Sequence, residues 1–311
     1  MSAPDSAPGV SGTAADALHR QVLDWYAVHA RDLPWRRPEC SPWGVLVSEV
    51  MLQQTPVSRV EPVWCAWLER WPTPGQLADE PAGEAVRAWG RLGYPRRALR
   101  LHAAATAIDE RHDGAVPDSF EALRALPGVG DYTAAAVATF AHGQRHAVVD
   151  TNVRRVLARA VAGVALPAVS VNRAEVRKAE SLVPDDGPTA ARWAVAVMEL
   201  GALVCTARTP RCGACPIAAR CAWRAAGSPP YDGPPRRGQA WRGTDRQCRG
   251  LLMAVLRDAD GPVREDRLAE AWRADPRQRT RALDALVGDG LVEALDGGRY
   301  RLPVTRPRAS T

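Results

Sequence analysis

The chain has 311 residues, 46% of them hydrophobic and 24% charged, with a formal net charge of +6. These proportions are those of a globular protein with room for one large domain or two to three smaller ones, and the positive excess fits a polyanionic partner. We expect a cytoplasmic protein with no membrane segment, because the N-terminus lacks the pattern of a secretory signal and no apolar run approaches the ~18 residues that cross a bilayer.

Residues 1–13 are expected to be disordered, and helical patterning begins after them. Apolar residues then recur at the three-to-four-residue spacing of amphipathic helices, and Pro and Gly separate the segments. The predicted helices are 15–29, 43–53, 57–70, 84–90, 96–111, 119–125, 131–141, 152–161, 173–183 and 189–204. Trp64, Trp67 and Trp71 are spaced three and four residues apart, which favours a core stripe over a platform for stacking bases.

Glu49 is the first candidate for chemistry. It stands between Val45-Leu46-Val47 and Val50-Met51-Leu52 in the second predicted helix. Desolvation among apolar neighbours is expected to raise the pKa of this carboxyl, so that it can donate a proton near neutral pH. The alternative is a structural glutamate buried with an arginine.

A tight turn joins the helices predicted over 119–125 and 131–141. It reads Leu126-Pro127-Gly128-Val129-Gly130-Asp131-Tyr132-Thr133. Glycines at 128 and 130 let the backbone approach a ligand closely, and the N–H groups at the start of the new helix suit a phosphate. The pattern is typical of a helix–hairpin–helix, which binds a DNA backbone without reading its sequence. The alternative is an ordinary turn between packed helices.

Asp150 is the second candidate carboxylate. It follows Val148-Val149 and precedes the helix predicted over 152–161. The N–H groups and the dipole of that helix start are expected to keep it ionised. A plain N-cap is the alternative, and one residue can serve both purposes.

Four cysteines, Cys205, Cys212, Cys215 and Cys221, lie within 17 residues. In a cytoplasmic chain this predicts a metal site before a disulfide pair. One Cys-x2-Cys flanked by wider gaps favours a [4Fe–4S] cluster over zinc, whose sites usually show two close pairs, or over no metal. Cys40, Cys65 and Cys248 show no ligand spacing and are expected to pack in the core.

Beyond the cysteines the composition becomes basic. Residues 205–250 contain nine arginines and two acids, which fits phosphate contacts, although after Cys221 a solvated linker is the alternative. We predict a Pro/Gly/Arg linker over 226–246, a winged-helix-like module over 247–305 and a tail over 306–311. The module would contain helices near 248–258, 263–273 and 276–288 and a hairpin over 291–302. Such modules bind DNA or protein, or only pack against the rest of their own chain.

Together these motifs resemble the endonuclease III superfamily of DNA glycosylases, over about residues 18–225. Three further segments resemble its adenine glycosylase branch, the MutY family: Leu33-Pro34-Trp35-Arg36, Trp43 to Pro56, and Gly90-Arg91-Leu92-Gly93-Tyr94. The resemblance implies an all-α, two-lobed helix–hairpin–helix glycosylase fold. One lobe would be the six-helix segment 44–145, and the other would combine 14–43 with 146–225 around the cluster.

The resemblance also assigns roles. Glu49 would protonate adenine at N7 and later position or activate water, Asp150 would stabilise the sugar cation, and Tyr132 would support both carboxylates. Asn152 joins the catalytic set because Asp150-Thr151-Asn152 aligns with the Asp-Gly-Asn of relatives. The cluster would order the loop from Cys205 to Cys221 so that its arginines meet phosphate.

Other residues would hold the DNA. Trp35 and Arg36 would line the base pocket, while Gln54 and Tyr94 would fill the stack that the extruded base leaves. For Gln54 the alternative is a helix cap, and for Tyr94 a surface aromatic. The hairpin residues Gly128, Val129 and Gly130 would contact the backbone.

The implied reaction is hydrolysis of the N-glycosidic bond of adenine mispaired with 8-oxoguanine or guanine in double-stranded DNA, by a monomer associated with the nucleoid. Lyases of the superfamily place at position 132 a lysine that forms a Schiff base, so Tyr132 indicates a monofunctional enzyme. The alternatives are a bifunctional glycosylase/lyase and a non-catalytic iron–sulfur DNA-binding protein.

Three departures from relatives remain. Thr151 replaces a glycine and must avoid positive φ, and Val195 stands where relatives place a residue that contacts adenine. The segment 247–305 is too short for the Nudix-like domain that recognises 8-oxoguanine in many relatives.

Overall fold

The computed structural model describes residues 12–234 and 241–304, with side chains from residue 15 onward. The helices of the described part are Gly12–His29 (α1), Pro42–Leu52 (α2), Val57–Arg70 (α3), Pro74–Ala78 (α4), Ala82–Ala88 (α5), Arg96–Arg111 (α6), Phe120–Arg124 (α7), Asp131–Phe140 (α8), Thr151–Ala160 (α9), Arg173–Glu180 (α10), Gly187–Leu203 (α11), Ala222–Ala225 (α12), Asp245–Asp258 (α13), Glu265–Ala271 (α14) and Pro276–Gly288 (α15). Short 3-10 turns cover Pro34–Arg36, Cys212–Ala214 and Ala218–Arg220. The predicted all-α character is confirmed.

Helix α4 is not among the predicted helices, because the prolines and glycine of Pro72-Thr73-Pro74-Gly75 indicate a break between helices. A capping box explains its presence: the Thr73 hydroxyl accepts from the Gln76 N–H, and the Gln76 side chain accepts from the Thr73 N–H. Pro74 then occupies the first turn, where proline favours a helix because its missing N–H is not needed there.

The described residues divide into two compact units. Those of Met1–Asp32 and Ala138–Pro234 form one unit, here called the cysteine unit, and those of Leu33–Val137 and Pro235–Thr311 form the other, the hairpin unit. The sequence predicted lobe boundaries near 44 and 146 instead. The segment 33–43 groups with the hairpin unit because the Trp43 indole donates to the Trp71 carbonyl and Trp35 packs edge-on against Trp64.

The core of the cysteine unit lies among α1, α9 and α11, where Val22, Val156 and Leu200 are buried. One ion pair is part of this core. Glu199 is fully buried and accepts two hydrogen bonds from the Arg31 guanidinium and one from the Arg31 backbone. This bidentate pairing satisfies a carboxylate that would otherwise be costly to bury.

The core of the hairpin unit is rich in tryptophan. Trp67 and Trp71 are almost completely buried, and Trp67 meets both Trp71 and Trp89 edge-on. The Trp64 indole is buried and donates to the Gly44 carbonyl. The prediction that Trp64, Trp67 and Trp71 form a core stripe is confirmed, which removes them as a base-stacking platform.

The C-terminal segment of the hairpin unit contains α13, α14 and α15 and a three-stranded antiparallel sheet. The strands are Val263–Arg264 (β1), Glu293–Leu295 (β2) and Arg299–Arg301 (β3), in the order β1-β3-β2. The hairpin of β2 and β3 was expected, whereas β1 was not, since two residues are too short to show a strand pattern. The segment also contacts the rest of its unit: Gly83 N–H donates to the Pro303 carbonyl at 2.7 Å.

None of the helices in the described ranges combines the length and the hydropathy that crossing a membrane requires.

Candidate active site

Glu49 and Tyr132 are brought together in the hairpin unit. Helix α2 starts at Pro42 behind the Ser41 hydroxyl, which accepts from the Gly44 N–H, and its residues from Trp43 to Met51 are buried. Glu49 lies in the middle of this apolar helix and is only 5% exposed. The Tyr132 hydroxyl, from the first turn of α8, donates a 2.9 Å hydrogen bond to Oε2 of Glu49.

The turn before α8 has the shape that the hairpin motif requires. Gly128 has a φ of 76°, in the left-handed region. A Cβ on Gly128 would lie 2.5 Å from Cβ of Arg100, so this glycine is needed for packing rather than for contact with a ligand. The space beside Gly130 is open. Val129 is buried, and its N–H donates to the Leu126 carbonyl.

Gln54 and Tyr94 belong to two strained turns of the same unit. Their φ angles are 56° and 47°, uncommon for residues other than glycine. Both side chains are exposed, and both residues line one groove. Gln54 lies beyond the end of α2, so its backbone is not the simple continuation of a helix.

A buried arginine that no sequence motif indicated holds these turns in place. The Arg97 guanidinium donates to the Val50, Met51, Gln53 and Gly93 carbonyls and to the Thr55 hydroxyl, at 2.7–3.0 Å. It satisfies the last carbonyls of α2, which have no partner within the helix. Burial lowers the pKa of Arg97 to about 10.

Trp35 and Arg36 occupy the 3-10 turn before α2. Trp35 is buried against Trp64, and Arg36 is half-buried at the end of the turn. A role for either residue in the base pocket remains a prediction.

Asp150 caps α9 in the cysteine unit. Its Oδ1 accepts from the Val153 N–H at 2.6 Å, and its Oδ2 accepts from the Asn152 side chain at 2.8 Å. Burial raises the pKa of Asp150 above its usual value, while the hydrogen bonds from Val153 and Asn152 and the charge of Arg155 lower it. The helix start thus holds Asp150 as its N-cap, and burial opposes the effect of the cap on the pKa of this carboxyl.

Thr151 is the first residue of α9, and its φ is not positive. The replacement of glycine by a β-branched residue is therefore accommodated without strain. Val195 lies half-buried on α11.

Arg155 links the Asp150 site to the cysteine loop. Its Nη2 donates to Asn152 Oδ1 at 2.7 Å and to the Gly201 carbonyl, and its Nε donates to the Cys205 carbonyl at 2.6 Å. The link is continuous from Asp150 through Asn152 and Arg155 to the first cysteine. A Cβ on Gly201 would lie 2.6 Å from Asn152, so glycine permits this close packing of α9 and α11.

Arg159, one turn after Arg155, holds the same loop. It donates to the Ala165, Thr206 and Ala207 carbonyls and lies 3.4 Å from the Cys205 sulfur. Arg155 and Arg159 are buried despite their charge. Their spacing of four residues places both on one face of α9 with the buried Val156, which is a signal that the sequence carried.

Cys215 lies close enough to the other three cysteines of the loop for their charges to act on it. Burial raises the pKa of Cys215 to about 11, and the charges of Cys205, Cys221 and Cys212 add to that rise. Among the described residues, no three His, Cys, Asp or Glu side chains form a group that could hold a single metal ion. In a [4Fe–4S] cube each thiolate binds a different iron, so the four thiolates need not surround a single ion as they do in a zinc site.

The remaining cysteines differ from the expectation in one case. Cys248 is buried and Cys40 is half-buried, but Cys65 is exposed. Cys65 lies on the exposed face of α3, away from the buried Trp64 and Trp67. The prediction that Cys65 packs in the core was therefore wrong.

Comparisons with known proteins agree with these features. A family model described as HhH-GPD superfamily base excision DNA repair protein matches residues 47–168, and one described as the iron–sulfur binding domain of endonuclease III matches residues 205–221. The chain is 56% identical to the adenine DNA glycosylase of Mycobacterium tuberculosis, over 91% of this chain and 92% of the relative. It is 40% identical to the human adenine DNA glycosylase, over 66% of this chain and 39% of the human protein.

Solved structures show the same fold. A thermostable thymine-DNA glycosylase matches with a TM-score of 0.62 and 27% identity, over 68% of this chain and 97% of the other. An endonuclease III–DNA complex matches with a TM-score of 0.58 and 21% identity, over 68% and 95% of the two chains.

Proposed function

The chain belongs to the adenine DNA glycosylases of the HhH-GPD superfamily of base excision DNA repair proteins, and from this premise we propose that it is a monofunctional enzyme that removes adenine paired with 8-oxoguanine or guanine. It is a hydrolase of N-glycosyl bonds that carries a [4Fe–4S] cluster. The proposed partner is double-stranded DNA, on which the enzyme acts as a monomer at the nucleoid.

The reaction requires an acid at the base. Adenine is a poor leaving group until its ring is protonated, and the proposal places this proton on N7. Glu49 takes this role in the proposal: burial disfavours its charged form, and the hydrogen bond from Tyr132 fixes the carboxyl group in one orientation. This hydrogen bond to a buried carboxyl is the observation that carries the proposal.

The reaction also requires an anion at the sugar, where positive charge develops as the bond breaks. Asp150 takes this role. Its two oxygens already accept hydrogen bonds from Val153 and Asn152, which holds the carboxylate in a fixed position and favours its ionised form against the effect of burial. After adenine leaves, Glu49 in its ionised form activates the water that attacks the sugar.

Strand cleavage by a Schiff base requires an amine at the sugar. Position 132 carries tyrosine, whose hydroxyl is engaged with Glu49. The one lysine of the sequence, Lys178, lies on α10. The proposed enzyme therefore leaves an intact strand with an abasic site.

Base extrusion is assigned to the hairpin unit. Gln54 and Tyr94 fill the vacated stack, since both side chains are exposed at turns that Arg97 holds rigid. The N–H groups at the start of α8, beside the open space at Gly130, bind a backbone phosphate. Trp35 and Arg36 line the base pocket.

The cluster is assigned a structural role. Cys205, Cys212, Cys215 and Cys221 would hold it, and the bound cluster would cross-link and order this loop. Arg155 and Arg159 hold the loop carbonyls from the inside. Freshly purified protein is expected to be brown, with absorbance at roughly 400 nm from thiolate-ligated iron.

One assay tests the function. The protein is incubated with duplexes that contain A:8-oxoguanine, A:G or thymine glycol, and the products are separated with and without alkali. Strand breaks only after alkali, and only from the adenine duplexes, are expected. Breaks without alkali from thymine glycol would instead indicate a glycosylase/lyase, and no breaks at all a non-catalytic DNA-binding protein.

A further inference from the structure

A large groove in the hairpin unit has an unusual charge. Its volume is about 1040 Å³. One wall is formed by Gln53, Gln54 and residues 90–97, and the other by α13 of the C-terminal segment. Eight of the described lining residues are arginines, and one, Asp289, is acidic.

The single carboxylate is already paired. Asp289 accepts from Arg249 and lies 3.3 Å from Arg96. Arg97 and Arg257 donate to backbone carbonyls, which carry no net charge and so do not neutralise the guanidinium groups. Burial lowers the pKa of each arginine to about 10, and both are therefore still charged at neutral pH. The lining therefore carries a net positive charge that an anion would balance.

Aromatic rings lie among the arginines. The Arg246 guanidinium is 5.5 Å from the Tyr94 ring centre and 5.3 Å from that of Trp241. Tyr94 is 46% exposed and Trp241 is 52% exposed. Arginines interleaved with exposed aromatic rings are typical of nucleic-acid surfaces, where guanidiniums meet phosphates and rings meet sugars or bases.

We propose that α13 and the 90–97 segment form a binding groove for the DNA backbone beside the extruded nucleotide, with Arg91 and Arg246 contacting phosphates from opposite walls. The identity of the ligand rests on the proposed function, since Gln54 and Tyr94 in the same groove are the residues assigned to the vacated stack. The C-terminal segment is then part of the DNA-binding surface.

The features of the groove favour a DNA strand over a smaller anion. A single phosphate would need a few converging donors, whereas here arginines follow both walls of an open groove. Contacts with phosphates fix the register of a protein on DNA but carry no sequence information. The groove should therefore strengthen binding to damaged and undamaged duplexes alike.

The test compares Arg246→Ala, Arg91→Ala and the double variant with wild type. Arg273→Ala is the control, because Arg273 is an exposed arginine of the same C-terminal segment and is not among the groove residues. The measurement is the Kd of the full-length holoprotein for a duplex of roughly 20 base pairs as a function of salt, with A:8-oxoguanine, A:G or T:A at its centre. Thermal unfolding checks that each variant is folded.

Each groove variant is expected to weaken binding roughly tenfold on all three duplexes. Each is also expected to lower the slope of log K against log salt by ~0.9, and the double variant by about twice that. Arg273→Ala should match wild type. The proposal would be overturned if both groove variants kept the wild-type Kd and the wild-type salt dependence. It would also be overturned if affinity were lost only for the 8-oxoguanine duplex, because that result would indicate a contact to the base.

The two proposals fail separately. If wild type releases adenine but the arginine variants bind like wild type, the groove proposal is wrong and the function stands. If the variants lose DNA binding as expected but wild type releases no base, the groove stands and the reaction was misassigned.

Discussion

The Tyr132 hydroxyl donates a hydrogen bond to Oε2 of Glu49 across 2.9 Å. The two residues are 83 positions apart in the sequence, and each belongs to a different helix of the hairpin unit. The start of α8 thus has two proposed functions: its backbone N–H groups would face a DNA phosphate, and its second side chain would orient the proposed acid.

Tyr132→Phe tests the hydrogen bond to Glu49. The change removes one hydrogen bond to a buried carboxyl while it keeps the ring, and we expect the single-turnover rate of adenine release to fall roughly 10- to 100-fold, because such bonds contribute ~1.5–3 kcal/mol. Tyr26→Phe, at a half-buried tyrosine of α1, is the matched control and should keep the wild-type rate. An unchanged rate in Tyr132→Phe would show that the hydrogen bond does not orient the acid.

Asp150→Asn tests the charge at the start of α9. Because burial raises the folded-state pKa of Asp150 above 3.8, the carboxyl favours folding below the unfolded pKa, and that contribution is lost as the pH rises through the folded pKa. The difference in Tm between wild type and Asp150→Asn should therefore become smaller from pH 4 towards neutral pH. Thermal unfolding of both proteins at intervals of roughly half a pH unit measures this difference. A difference that rises over this range would mean that hydrogen bonds outweigh burial.

The same variant tests catalysis. Asparagine retains the shape and can still cap the helix, but it offers no negative charge to the sugar. Adenine release should drop by at least roughly 100-fold, and a rate near that of wild type would remove Asp150 from the mechanism.

Arg97→Met tests the support of the Gln54 and Tyr94 turns. Five acceptors lose their donor at once, and buried acceptors without partners are costly, so urea unfolding should show a loss of ~3 kcal/mol or more. Arg96→Met is the control, since Arg96 is the exposed neighbour and should change stability by less than about 1 kcal/mol. Equal stability in the two variants would contradict the role given to Arg97.

Gly128→Ala and Gly130→Ala form a matched pair in the hairpin. At 128 the added methyl meets Arg100 at 2.5 Å and the backbone has a positive φ, whereas at 130 it enters open space. Gly128→Ala should lose ~1–3 kcal/mol in urea unfolding, and Gly130→Ala about 0.5 kcal/mol or less. Gly130→Ala should instead weaken DNA binding, because its methyl lies where the phosphate approaches. The reverse pattern would mean that the two glycines were assigned the wrong tasks.

Local patterns were sufficient for much of the fold. The apolar run around Glu49, the glycine turn before Asp131 and the cysteine spacing are each contained in a few consecutive residues, and the structure has the corresponding helix, turn and loop. The capping of α9 by Asp150 was visible in the same way.

What was missed depends on contacts between distant segments. Nothing near Arg97 distinguishes it from Arg96, because its acceptors come from residues 50–55 and 93. The link from Asn152 through Arg155 to Cys205 spans about 50 residues. The grouping of 33–43 with the hairpin unit depends on Trp43 and Trp71, and the charge balance at Asp150 depends on burial that no linear pattern reports.

The most direct test of the central claim is single-turnover adenine release by Glu49→Gln from an A:8-oxoguanine duplex, with duplex affinity measured on the same preparation. Glutamine keeps the size of the side chain but cannot donate the proton, so release should fall by roughly 100- to 10,000-fold while the Kd stays within about threefold of wild type. Glu110→Gln, at an exposed residue of α6, should behave as wild type. Release at the wild-type rate by Glu49→Gln would contradict the assignment of Glu49 as the acid.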